Sequence, residues 1–99
     1  MAYFVQKVYS EYDPGHGISQ TVTNFKPTDH YIEAKLQWQD ECYEILDGVV
    51  DNFNPKIKFD ENDYDGELNF DDYNDTFVYE DQNCGEPWMV SIKIIMVEI

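Results

Sequence analysis

Apolar and polar positions along the chain change period several times, and each change predicts an element. Ala2–Tyr12 is rich in Tyr, Phe and Val and reads as a strand. Asp13-Pro14-Gly15-His16-Gly17 carries strong turn chemistry, because proline fixes one φ and glycine permits positive φ. Ile18–Phe25 is β-branched and returns as a second strand, so 2–25 is expected to be a hairpin with a five-residue loop.

Pro27-Thr28-Asp29 then opens a helix, with Thr28 or Asp29 as N-cap. Glu33, Gln37, Asp40, Glu44 and Asp47 recur at spacings of three and four as a polar stripe. Tyr31, Trp38, Cys42, Ile45 and Val49 form the opposing apolar stripe, widened by Ile32, Leu36, Leu46 and Val50. Alternation over 32–38 also fits a strand, but it fails for the next dozen residues, whereas a helix of about 20 covers them all.

Lys56-Ile57-Lys58-Phe59 alternates like a strand, Asp65-Gly66 is a hairpin-turn signal, and Glu67-Leu68-Asn69-Phe70 alternates again. Thr76–Tyr79 is a further strand, Asn83–Pro87 breaks the chain, and Trp88–Ile99 is apolar on both faces, as a central buried strand would be. No repeat or linker interrupts 1–99, which reads as one domain of α+β class. The expected architecture is a mainly antiparallel sheet with one long amphipathic helix packed on a face.

Composition excludes several functions. The 99 residues hold 21 acids against six bases, all lysine, for a net charge of -15. Nucleic-acid phosphates and anionic membrane surfaces both require a basic footprint, so neither is an expected direct partner. No apolar run, Ile94–Val97 included, comes near the roughly 20 residues of a membrane span, and Met1–Phe4 does not open a signal peptide. A cytoplasmic protein is expected. A hydrophobic fraction of 42% and an aromatic fraction of 16% argue for a folded chain in spite of the charge.

Placement of the charge adds more than its sum. Residues 1–39 hold four acids and three lysines, whereas 40–99 hold 17 acids and three lysines. Ten acids and no base fall within 60–81: Asp60, Glu61, Asp63, Asp65, Glu67, Asp71, Asp72, Asp75, Glu80 and Asp81. Tyr64, Phe70, Tyr73, Phe77 and Tyr79 are threaded through them, unlike in a plain acidic tail. This stretch is expected to be held on a folded surface.

Residues that could carry catalysis are sparse. Cys42 and Cys84 fit neither a redox pair nor a zinc knuckle and read as free thiols, with a structural disulfide as the alternative. His16 and His30 lack the helical partner of a zinc site, and no phosphate-binding glycine loop or nucleophile elbow is present. Glu61–Tyr73 resembles an EF-hand calcium loop. That resemblance implies ligands at Glu61, Asp63, Asp65, the Glu67 carbonyl, Asn69 and Asp72, with Gly66 at the sharp turn and Leu68 at the apolar position. The sequence departs from the family at Glu61, where Asp is usual, and at Asp72, where the longer Glu is usual. The incoming helix and a second loop are also missing. The reading adopted is an acidic hairpin with no metal and no cofactor, and calcium binding is the alternative.

Strand residues i and i+2 stand about 6.6 Å apart, near the spacing of phosphates along one nucleic-acid strand. A rigid acidic surface can therefore occupy a Lys/Arg-rich groove, with association steered by charge. In size, charge and architecture the chain resembles the small acidic DNA-mimic inhibitors of phages and mobile elements, of anti-restriction and anti-CRISPR type. The resemblance implies stoichiometric blockade of a basic nucleic-acid-binding protein without turnover. Asp60, Glu61, Asp63, Asp65, Glu67, Asp71, Asp72 and Asp75 are the expected phosphate-like charges. Glu80 and Asp81, and Asp40, Glu44 and Asp47 on the helix, would extend the track, and Tyr64 and Tyr73 are the expected aromatic anchors. A merely solubilising surface is the plain alternative.

Overall fold

Pro14 and Gly15 make the first reversal of the chain. In the computed structural model, which describes residues 1–82 and 86–98, the His16 amide donates to the Asp13 carbonyl at 2.9 Å and Gly15 has φ 96°. Proline at the second turn position and a positive-φ glycine at the third are what a type II turn requires. The turn joins β1 (Ala2–Asp13) to β2 (Gly17–Asn24) in register from Gln6 opposite Asn24 to Asp13 opposite Gly17.

Helix α1 (Tyr31–Val49) follows. Its N-cap is His30, which makes no side-chain cap bond. Thr28, one of the two expected caps, is held out of the helix by a pair of backbone hydrogen bonds to Tyr3 at 2.7 and 2.8 Å. Its hydroxyl accepts from the His30 amide and donates to Glu33 instead. The buried helical residues are Ala34, Trp38, Cys42 and Leu46, an i, i+4 row. Ile32 and Leu36, expected on that face, are 63% and 56% exposed. They stand about 100° or more around the helix from the row, a consequence of 3.6 residues per turn.

The segment expected to be a strand at 56–59 is irregular. Asn54 closes a local turn, its side chain accepting from the Lys56 amide and its carbonyl from the Ile57 amide, so Lys56–Phe59 reaches no partner strand. A short 3-10 turn, Glu61–Asp63, leads to β3 (Glu67–Asp71), β4 (Thr76–Asp81) and β5 (Trp88–Val97). The hairpin turn lies at 72–75 between β3 and β4, and Gly66 precedes the hairpin. The expected break at Asn83–Pro87 falls largely outside the described residues, since 83–85 are among those not described.

The architecture is α+β: a five-stranded antiparallel sheet in the order β2-β1-β5-β4-β3, with α1 packed on one face. Val5, Phe77, Tyr79, Val90 and Ile92 meet Trp38, Cys42, Leu46 and Val50 in the core. The Trp38 indole donates to the Ile92 carbonyl at 3.0 Å, fixing the helix on the central strand. β5 is central as expected, but only Val90 and Ile92 in it are fully buried, both against the helix. Met89, Ser91, Lys93 and Ile95 lie on the opposite face, which no described element covers, because the chain supplies one helix for two faces. No helix among the described residues is long and apolar enough to cross a membrane.

Candidate acidic interface

The ten acids of 60–81 follow the β3 side of the sheet, and the fold divides them into three groups. The first is the 3-10 turn. Asp60 caps it by accepting from the Asn62 amide at 2.9 Å, and Asp63 reaches back to the Asp60 amide at 3.0 Å. The Asp63 carbonyl accepts from the Asp51 amide, tying this turn to the end of α1. Glu61, between them, is exposed.

The second group is the β3–β4 turn. Asp71 accepts from the Tyr73 and Asn74 amides and from the Asn74 side chain, which holds its carboxyl below the usual range. Asp72 and Asp75 converge on Lys35 of the helix, Asp72 at 3.2 Å, while the Tyr31 hydroxyl donates to Asp75. Burial works against the Lys35 ammonium, but the two carboxylates outweigh it and its pKa is raised. The hydrogen bond to Asp75 raises that of Tyr31. Lys35 also lies 4.7 Å from the Trp38 ring centre, so one lysine joins helix, hairpin and core.

The third group, Asp81 excepted, lies on the open side of the sheet. Glu67 stands directly opposite Glu80 in the β3–β4 ladder, and Met89 is the next residue across. No lysine forms an ion pair with either glutamate among the described residues; Glu80 is bonded by the Gln82 amide. Asp71 shares the face, two positions beyond Asn69, so acids on β3 recur at about 13 Å and not at the expected 6.6 Å. Asp65 lies beside this pair, and Asp81 points to the helix side. Asp40, Glu44 and Asp47 are exposed on the outer surface of α1. They and the Glu67/Glu80 pair are therefore on opposite layers.

The threaded aromatics are mostly structural. Phe77 and Tyr79 are buried, Phe70 packs on Trp38 and Phe77, and Tyr64 packs between Phe59 and Tyr79. Tyr64, an expected anchor, is half-buried and packs against the core. Tyr73, at the hairpin tip, is 91% exposed and flanked by Asp71, Asp72 and Asp75.

The segment 61–72 does not wrap around a point. Its first three residues form the 3-10 turn, and Glu67, Asn69 and Asp71 extend along β3. No group of three or more His, Cys, Asp or Glu suited to a metal ion occurs among the described residues. Gly66 serves packing: an added Cβ would stand 2.6 and 2.7 Å from the Tyr79 phenol and would overlap the Glu80 carbonyl.

Cys42 is fully buried and free, and burial pushes its thiol pKa up, which leaves it a poor nucleophile. Cys84 lies outside the described residues. His30 stands 3.5 Å from Asp29 on an exposed surface. Lys35 is the residue sequence reasoning missed, because it meets Asp72 and Asp75 across 37 and 40 residues. The chain matches no protein family, no curated protein and no solved structure.

Proposed function

We propose that this chain is a non-enzymatic, stoichiometric inhibitor that presents carboxylates in place of nucleic-acid phosphates to a Lys/Arg-rich groove of a nucleic-acid-binding protein. The observation that carries this reading is Glu67 opposite Glu80. Like charges directly opposed across two strands are destabilising, by up to about 1 kcal/mol. The helix repeats the pattern: Asp40, Glu44 and Asp47 follow one another at i+4 and i+3, and no base stands in its last turn. These arrangements weaken the isolated fold and are relieved when cations dock on them. A solubilising surface would need no directly opposed pair.

In the complex, Glu61, Glu67, Asp72 and Glu80 supply accessible charge, and Tyr73 supplies the apolar contact. Asp60, Asp63, Asp71 and Asp75 hold the turns that display them. The partner is a host nucleic-acid-binding protein, such as a defence nuclease complex, met in the cytoplasm. Capture of heparin-binding proteins from a cell lysate on immobilised chain tests the reading. The captured partner is expected to be released by short duplex DNA, and capture is expected to fall when Glu67 and Glu80 are both replaced by Gln. A captured partner that duplex DNA leaves in place contradicts it.

A further inference from the structure

The two edges of the sheet are built differently. The β3 edge is five residues long and carries Glu67 and Asp71, the charged and short edge that blocks strand addition. The β2 edge is eight residues long and exposed throughout. From Pro14 to Phe25 there is no Asp, Glu, Lys or Arg, in a chain of net charge -15. No charge, proline or bulge protects β2 itself; its β-branched residues include Ile18 at 77% and Val22 at 51% exposure.

The free hydrogen-bonding groups of this edge follow from the ladder. The Phe25 amide donates to the Val5 carbonyl at 2.9 Å. Bonded rungs alternate in an antiparallel pair, so Thr23, Thr21 and Ser19 turn their backbone toward β1. Ile18, Gln20 and Val22 turn theirs outward.

We infer that β2 is a strand-addition edge for a second copy of this chain, pairing antiparallel to β2 of that copy in a two-fold dimer. Centred on Gln20, the pairing sets Ile18 opposite Val22 of the second copy, Val22 opposite its Ile18, and Ser19 opposite its Thr21. Each opposed pair then lies on one face, as a two-fold axis normal to the sheet requires. The outward amides and carbonyls of Ile18, Gln20 and Val22 are the ones that bond. Charge favours the same geometry: repulsion between two chains of -15 is least along an uncharged edge at the far side of the sheet from the β3 acids, with Glu11 and Asp13 of β1 the nearest carboxylates, beside Ser19 and Gly17. In the resulting ten-stranded sheet the two β3 edges stand about 43 Å apart, from nine strand spacings of about 4.8 Å. This dimer does not depend on the phosphate-mimic reading.

Light scattering after gel filtration, across a concentration series of the full chain, tests it. A mass of twice 11.7 kDa is expected at high concentration, and dimerisation is expected to strengthen with added NaCl as repulsion is screened. Gln20→Pro, which removes an outward amide, and Val22→Asp, which puts charge on the edge, should each move the transition at least about tenfold higher in concentration. Circular dichroism establishes that each variant is folded, and Val22→Asp decides alone if Gln20→Pro is not. A monomer at every concentration and salt overturns the inference, as does a dimer that a folded Val22→Asp leaves unchanged.

Discussion

The Gly66 amide donates to the Tyr79 hydroxyl at 3.1 Å, which brings the backbone before β3 close against the hydroxyl end of the phenol. Tyr79 is at once a core residue packed against Trp88 and the seat for the segment that carries Asp65 and Glu67. Gly66→Ala should therefore cost about 1–3 kcal/mol, the usual range for overpacking. Chemical denaturation would measure the loss, and unchanged stability would refute this role for Gly66.

Lys35 anchors the hairpin to the helix, so Lys35→Met should destabilise the fold and leave Asp72 and Asp75 repelling each other. A loss of at least about 1 kcal/mol is expected, since both Lys35 and Asp75 are largely covered. Tyr73 fluorescence or proteolysis at 72–75 should report a loosened turn in this variant.

The same contact sets a pH dependence. The folded-state pKa values of Lys35 and Tyr31 are raised, from ordinary values of 10.5 and 10.0. Their contribution is fully present below those ordinary values and is lost as pH rises through the raised ones. Alkaline unfolding should begin near pH 10 and come earlier in Tyr31→Phe, which lacks the bond to Asp75. Asp71 works in the opposite sense: its pKa is lowered from 3.8, so its contribution is present above that value and is lost as pH falls through the lowered one.

Most of the fold could be read from the chain because its signals are local. The Asp13–Gly17 turn, the helix, the alternation at 67–70 and 76–79, and the apolar Trp88–Val97 run each carry their own period or turn chemistry. Partnership between strands is non-local, and there the reading failed. Gly66 looks like the turn of a 56–59/67–70 hairpin, yet Asn54 bends 56–59 away and β3 pairs with β4. The Glu67/Glu80 opposition follows only from that pairing. Tyr64 and Tyr73 are indistinguishable in sequence, and only packing against Phe59 and Tyr79 separates the half-buried ring from the exposed one.

Removing the opposed charge should stabilise the free protein. Glu67→Gln is expected to raise the melting temperature by a few degrees, as about 0.5 kcal/mol does in a domain of this size. Added NaCl should raise that of the wild type more than that of Glu67→Gln. A lower melting temperature for the variant would show that Glu67 makes a stabilising contact.

Phosphate mimicry is tested most directly by the salt dependence of binding to the captured partner. Affinity should fall linearly on logarithmic axes as NaCl rises, by tenfold or more over a few-fold change in salt, and the slope should shrink in the Glu67→Gln, Glu80→Gln double variant. Affinity independent of salt, or an unchanged slope in the double variant, would contradict the account and assign the binding to an apolar surface.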